Sequence, residues 1–438
     1  MKKVFYGIFI CLFLICCLFT SVGLLVAGPS EAGANEKLSD APVLKTEDGA
    51  WNANYLNDLQ DWVNDRFFLR QELISLDRWL TANVLNTSGE SGVILGSDGW
   101  LYYADTLNDF TGVETMTERE LYSAAKNLSL MAEFCRENGK KFLFMIAPNK
   151  NSLYPQFMPE FGVSAEETDA DRLMAMLEEM DVATVDLFKA FGEQDEILYF
   201  AHDSHWNSKG AALGADLINA GFGVESDYFG ADFSQSIPHE GDLYDMMYPA
   251  LTDPEKDPVY GGTLSFDFTS KATRPDSINL TTESEKAGSL LAYRDSFGIL
   301  LYPYLADSYG AARFSRSTTY DLTADGECVL IELVERNLCY LVQNLPVMAS
   351  PKRDVTLPQS NSGTVQVESS NRKDLVQVKG TLEQVDADSP IYVVSGGAVY
   401  EAFCLEGNGF GVNLPEGSEA EYVLCTLDGQ TVMYEIKN

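Results

Sequence analysis

The chain has 438 residues, 45% of them hydrophobic, with 24 Phe and 21 Tyr; this is more than one core organises, so a disordered chain is excluded and two folded units with a short appendage are expected. A formal net charge of -36 argues against a nucleic-acid partner, because phosphate binding needs a positive surface. Eight cysteines without CxxC spacing argue against a zinc site.

Met1, Lys2 and Lys3 precede an uncharged apolar run, Val4 to Ala27. A basic start before a stretch able to cross a ~30 Å hydrocarbon core reads as a signal peptide or a transmembrane anchor over 1–34, and either places the body outside the cytoplasm. Ala32-Gly33-Ala34 is a small-x-small site for a signal peptidase. Residues 35–54 read as a linker. Apolar residues from Leu56 to Leu80 recur at helical spacing and predict a helix over 52–86. Gly92–Gly96 and Trp100–Tyr103, joined by Asp98-Gly99, predict a hairpin.

An alternating pattern follows. Thr117 and Glu120 form a capping box that starts a helix running to about Asn138. Lys141–Ala147 is a continuous apolar strand. A helix over 169–180, a short strand over 182–187 and another over 197–200 come next. Asn207 or Ser208 caps a helix reaching Asn219. After a long irregular stretch, Ser289–Tyr293 is a strand, Phe297–Asp307 a helix and Val329–Val334 a buried strand, followed by a helix to Leu345. Buried strands alternating with helices predict an α/β domain over 55–345, a parallel sheet with helices on both faces. Three prolines mark 346–363 as a second linker. Residues 364–438 switch to short alternating runs between turns and predict a small all-β, sandwich-like domain. Within it, Cys404 and Cys425 leave open a disulfide or two buried thiols.

In open α/β sheets reactive groups collect beyond the carboxyl ends of strands. Two segments place reactive types there: His202-Asp203-Ser204-His205-Trp206 and Arg294-Asp295-Ser296-Phe297-Gly298. Ser296 at a strand-to-helix turn would sit where backbone N–H groups favour an oxyanion. A serine needs a base, and His205 is one of only 3 histidines. Asp203 can fix the imidazole tautomer. The plainer alternative makes Asp295-Ser296 a helix cap and His205 a packing residue.

The chain resembles the SGNH-hydrolase-like family that includes the alginate O-acetylation proteins AlgJ and AlgX. The resemblance covers roughly 55–345. It rests on Asp61–Arg70 (DWVNDRFFLR), Ile94–Tyr103 (ILGSDGWLYY), Asp203–Trp206 (DSHW) and Arg294–Gly298 (RDSFG), with weaker matches at Ala147–Lys150 (APNK) and Glu332–Leu338 (ELVERNL). Arg294 stands where many members have Gly. The resemblance implies an SGNH-hydrolase-like, flavodoxin-like fold, with Ser296 as nucleophile, His205 as base and Asp203 as its orienting partner. Asp203 and His205 precede Ser296, the reverse of the order in ordinary SGNH hydrolases. It also makes Trp206 and Tyr302 pocket residues, unless they pack the core. Asn149 becomes an oxyanion donor or a substrate contact, and Lys150 and Arg294 become contacts for an acidic glycan; Lys150 could equally serve only in an ion pair.

The implied activity is O-acetylation of an exported or cell-wall polysaccharide, with acetyl supplied by a membrane-bound O-acyltransferase and without metal or cofactor. A carbohydrate esterase with the same triad and a non-catalytic scaffold of a polysaccharide export machine are the alternatives. By position, residues 364–438 correspond to a carbohydrate-binding domain, for which Tyr392, Tyr400, Phe403, Phe410 and Tyr422 are the available aromatics; a spacer or protein-contact domain fits equally.

Overall fold

The computed structural model describes residues 2–30, 37–113, 115–161 and 166–437. The candidate cleavage site at 32–34 lies outside them. Lys2–Ala27 is one helix, and Phe5–Ala27 is long and apolar enough to cross a membrane by length and composition. The helical stretch expected over 52–86 is two helices, Tyr55–Asn64 and Arg70–Leu85. They are separated where Leu69 takes a positive φ of 58°, a conformation that ends helical propagation.

The central sheet is built from β3 (Lys141–Ala147), β4 (Thr184–Val185), β7 (Asp267–Phe268), β8 (Asn279–Glu283), β9 (Ser289–Tyr293), β10 (Ala311–Ser315) and β11 (Cys328–Val334), the hairpin β1 (Val93–Leu95) and β2 (Leu101–Tyr103) and the ribbon β5 (Gln235–His239) and β6 (Glu255–Val259) lying outside it. Its order is β4-β3-β11-β9-β10-β8-β7. The first five strands are parallel, and β8 and β7 close one edge antiparallel. Successive side chains of a strand point to opposite faces, and the two cores follow that rule. Leu143, Met145, Leu290, Ala292 and Leu330 pack under the helices Ser208–Phe222 and Gly298–Ser308. Phe144, Ile146, Leu291, Val329 and Ile331 face the helices Glu118–Glu137 and Asp169–Glu179. The fold is an α/β domain, a largely parallel sheet with helices on both faces, followed by an all-β region, as expected.

Thr117 accepts from Glu120 N and completes the capping box, and Asn207 caps its helix through Lys209 N and Gly210 N. Two expectations fail. Residues 197–200 form no sheet strand: Tyr199 makes a single bridge to Trp206, so the segment folds back on its own loop. Its apolar run reflects burial of Leu198, Tyr199 and Phe200, which periodicity alone does not distinguish from a strand. After β11, Glu335–Val342 is a 3-10 segment rather than an α-helix to Leu345.

In the C-terminal region a nine-stranded sheet folds over at Gly363–Arg372, which pairs with one half at residues 363–366 and with the other at 367–372. Val378, Phe410 and Val412 of one half meet Ile391, Val393 and Val423 of the other in one core. The start of the expected linker is built in. Val347 N donates to Tyr320 O at 2.8 Å, Asn413 Nδ2 donates to Pro346 O at 2.8 Å, and Lys352–Arg353 pairs with Val399 and Tyr400. Asn127 clamps the two regions: its amide donates to Leu341 O at 3.0 Å and Cys404 O at 2.7 Å and accepts from Cys404 N at 2.9 Å. Cys404 and Cys425 are buried free thiols; Cys404 Sγ instead accepts from Arg119 at 3.3 Å. Tyr400, Phe403 and Phe410 are buried, so three of the five aromatics considered for glycan contact serve packing.

Candidate active site

The turn after β9 is fixed by Asp295. One carboxylate oxygen accepts from Phe297 N at 2.9 Å. The other accepts from Val334 N at 2.8 Å and Asn337 Nδ2 at 2.9 Å, which ties the turn to the end of β11. Asp295 therefore fixes the turn, and the Ser296 hydroxyl is left for His205. A Cβ on Gly298 would lie 2.4 Å from Arg294 Cδ, so the close approach of that side chain to the helix start requires glycine here.

His205 Nε2 lies 2.8 Å from Ser296 Oγ, and its Nδ1 lies 2.7 Å from Asp203 Oδ1. Asp203 is fully engaged: Oδ1 also accepts from His205 N at 2.9 Å, and Oδ2 accepts from His239 Nε2 at 2.9 Å and Asp242 N at 3.1 Å. The ribbon β5–β6 holds this loop from outside. Glu255 accepts from Ala201 N at 2.7 Å and His202 N at 2.6 Å, and Asp257 accepts from Ser208 N at 2.9 Å and its hydroxyl at 2.7 Å. Asp242 accepts from Ser204 N at 2.8 Å and its hydroxyl at 2.6 Å. From inside, Lys150 Nζ donates to the carbonyls of Phe200 at 3.1 Å, Ala201 at 2.9 Å and Asp203 at 2.6 Å.

These contacts set the charges. Burial pushes the Asp203 pKa up, but the hydrogen bonds from His205 and His239 outweigh it and hold the carboxyl well below the usual range. Burial lowers both histidines, yet the bond to Asp203 prevails, so His205 and His239 are both raised. Arg336 opposes protonation of His205. Its guanidinium rests over the Tyr103 and Phe297 rings, at 5.4 and 5.6 Å. It donates to Asn149 Oδ1 at 3.4 Å, and among the described residues no carboxylate oxygen lies within 4.0 Å of it. Asp203, His205 and Asp242 present ligand atoms within 4.8 Å of one another, the group nearest to a metal set, but each is already hydrogen-bonded within the loop.

The structure thus brings Ser296, His205 and Asp203 together, and it relocates the other expected contacts. Lys150 is only 4% exposed, so it braces the histidine loop instead of facing a glycan. Burial pulls its pKa down to about 7, while three carbonyl acceptors match the three hydrogens of the ammonium form. Trp206 is fully buried against Phe191 and Phe297, and Tyr302 packs with Phe266, Phe268 and Phe314. Asn149 is fully buried and gives one of its two amide hydrogens to Asp109 Oδ2 at 3.2 Å. Arg294 is buried, with Nη2 on Pro275 O at 2.5 Å. His239, Asp242, Glu255, Asp257 and Arg336 were not singled out from the sequence; the scarcity of histidine was the one available signal for His239.

A family model described as "ALGX: SGNH hydrolase-like domain, acetyltransferase AlgX" matches residues 93–248, a span that holds Asp203 and His205. The probable alginate O-acetylase AlgJ of Pseudomonas syringae pv. tomato is 24% identical over 204 residues, 44% of this chain and 50% of that protein. The chain therefore matches about half the length of that curated relative. A structure of Bacillus cereus PatB1 with a sulfonyl adduct is similar over 56% of this chain and 97% of that one, at 19% identity and a TM-score of 0.42. The O-acetyltransferase domain of Pseudomonas putida AlgJ covers 56% of this chain and 92% of its own, at 18% identity and a TM-score of 0.39.

Proposed function

We propose, for a chain that belongs to the AlgJ/AlgX-like family of SGNH-hydrolase-like proteins, that Ser296, His205 and Asp203 form a triad transferring acetyl to a hydroxyl of an exported or cell-wall polysaccharide. The observation that carries this reading is the continuous line Ser296 Oγ, His205, Asp203, with spacings of 2.8 and 2.7 Å. The name of the curated relative, an O-acetylase, favours transfer over simple hydrolysis. The apolar helix Phe5–Ala27 fits export, as a signal or an anchor.

His205 Nε2 takes the Ser296 proton as Oγ attacks the acetyl carbonyl. Asp203 stabilises the imidazolium, and it can do so because it is ionised and oriented by four hydrogen bonds. The tetrahedral oxyanion collapses, the donor's alcohol leaves with the proton from His205, and acetyl remains on Ser296. His205 then removes a proton from an acceptor hydroxyl, which attacks the acetyl and regenerates the serine. Arg336, which donates to Asn149 Oδ1, is the cation we assign to charge stabilisation beside His205 and Phe297. A membrane-bound O-acyltransferase supplying the acetyl group is part of the proposal.

The test is to incubate the protein with a chromogenic acetyl ester and oligosaccharides of cell-wall and capsular type, then weigh the products by mass spectrometry. Acetylated oligosaccharide supports the reading. Loss of acetyl from natively acetylated glycans, with no gain by any acceptor, replaces it with an esterase.

A further inference from the structure

Among the described residues outside Lys2–Ala27, most of the large apolar side chains left exposed lie between Val43 and Leu85. The helix Arg70–Leu85 carries the most regular set. One of its faces is fastened to the α/β domain. Ser75 Oγ accepts from Ala250 N at 2.9 Å, Arg78 donates to Met246 O and pairs with Glu90, and Ala82 packs against Val93, Leu243 and Met247. Leu73, Leu76, Leu80 and Val84 follow one another at spacings of three and four, which aligns them in a single stripe on the opposite side of the helix. Each is at least 40% exposed. A contiguous apolar stripe turned away from the body of the protein marks a contact surface.

The path of the chain says what covers it. Phe68, two residues before the helix, sets its ring edge-on against Phe19 at 5.6 Å and lies over Gly23, where a Cβ would overlap it. Ser30 N donates to Arg66 O at 3.1 Å. A segment that is cut off gains nothing from packing on the domain it leaves behind. Phe19 and Gly23 lie eight and four residues before Ala27, so Phe68 touches the apolar helix about 6 to 12 Å inside its end. For Phe5–Ala27 crossing a ~30 Å layer, that depth is within the hydrocarbon. The helix Arg70–Leu85 therefore begins at the bilayer boundary, with the domain on one side of it and the stripe on the other. Exposed Glu72 and Asp77 flank the stripe and the chain carries a net charge of -36, so the contact is apolar and not an attraction to anionic headgroups. Trp79, exposed beside the stripe, is of the type that collects at membrane–water interfaces.

We propose that Lys2–Ala27 stays on the chain as an anchor and that the helix Arg70–Leu85 lies along the surface of the same bilayer. Its apolar stripe sinks among the lipid acyl chains, and the face of Ser75, Arg78 and Ala82 carries the domain. The consequence reaches the candidate active site. Arg78 holds Met246 at the end of the helix Asp242–Met247. At the other end of that helix, Asp242 N donates to Asp203 at 3.1 Å and the Asp242 carboxylate accepts from Ser204 N at 2.8 Å. One short helix thus joins the membrane-lying helix to the histidine loop, and the bilayer fixes the height and facing of that loop. This goes beyond the acetyl-transfer reading and does not depend on it.

The test uses the full chain reconstituted in phosphatidylcholine vesicles, with Trp79 as the probe. Tryptophan emission is compared between vesicles with ordinary and with brominated acyl chains, and the same comparison on Trp79→Phe isolates the Trp79 share. Bromine should quench most of that share. Leu76→Asp combined with Leu80→Asp changes two exposed positions and leaves the domain-facing side intact. The pair should restore most of the Trp79 emission, with circular dichroism and melting like those of the parent, and Val84→Asp alone should restore part of it. No Trp79-dependent quenching, or quenching that these substitutions leave unchanged, overturns the proposal. Loss of residues 1–34 from chain recovered from membranes, read as its intact mass, overturns it as well. A cross-linked dimer that needs Leu76 and Leu80 and shows no quenching gives the stripe to a second copy of the chain instead.

Discussion

His239 Nε2 lies 2.9 Å from Asp203 Oδ2, on the carboxylate edge opposite His205, and its ring stacks on Phe200 at 3.9 Å. A ring nitrogen this close to an ionised carboxylate carries the proton, so His239 donates and shares Asp203 with the proposed base. The groups bearing on it are Asp203, Asp257 and Glu255. Replacing His239 by Phe removes the donor and leaves Asp203 to polarise His205 alone. The acid limb of kcat/KM, which reports protonation of a His205 already raised above 6.5, should move to higher pH. kcat should fall roughly tenfold as the carboxylate loses its orientation. His239→Asn, whose amide can still donate, should recover part of the rate. A pH–rate profile of ester hydrolysis checks this; an unmoved limb in His239→Phe assigns His239 to packing only.

Lys150 holds three carbonyls of the histidine loop. Lys150→Met keeps its length and apolar stem but leaves those acceptors without a donor. The expected loss is on the order of 3 kcal/mol, read by denaturant unfolding. kcat should drop with little change in KM, because the side chain braces the loop and does not face the acceptor.

Glu335 is a buried acid paired with the half-buried Asp109. Burial, then the Asp109 charge, raise Glu335 to about 8. The folded state thus keeps a proton that the unfolded chain releases near its usual value of 4.5, and stability should fall as pH rises from 5 to 7. His205 and His239, raised above 6.5, act in the same direction, while Lys150 opposes it only above about 7. Glu335→Gln should flatten the slope by up to about 1.4 kcal/mol per pH unit. Melting curves across that range decide it, and an unchanged slope removes Glu335 as its source.

From the helix Glu118–Glu137, Asn127 closes two hydrogen bonds with Cys404 of the C-terminal sheet and one with Leu341 of the 3-10 segment. Asn127→Ala strands a buried N–H and two carbonyls and should cost about 3 kcal/mol. It should also make limited proteolysis cut near 354–362, where most residues are exposed. A variant as stable and as resistant as the parent would show that the other contacts, such as the ion pairs Lys126–Glu401 and Arg353–Glu133, suffice to hold the two regions together.

What could be read from the sequence follows from how local each signal is. The capping box at Thr117 and Glu120 and the strands Lys141–Ala147 and Ser289–Tyr293 depend on residues a few positions apart, and they appear as expected. Asp203 and His205 are two residues apart, and Ser296 carries its own turn, so the three could be proposed together. His239 could not. It reaches Asp203 through β5, a strand with Pro238 in it and no apolar alternation, paired to another that contains Pro258. Burial of charge was equally hidden. Lys150 and Arg294 look like surface cations by type, and only tertiary packing turns one into a brace and the other into a buried donor to Pro275 O.

The central claim is that Ser296 carries the acetyl group, and mass spectrometry of the protein quenched during turnover of a chromogenic acetyl ester tests it most directly. The wild-type chain should gain one acetyl on the peptide containing Ser296, and His205→Ala and Ser296→Ala should gain none there while remaining folded. A wild-type chain that turns over the ester without acetylation at Ser296, or a Ser296→Ala chain that retains most of the activity, contradicts the account.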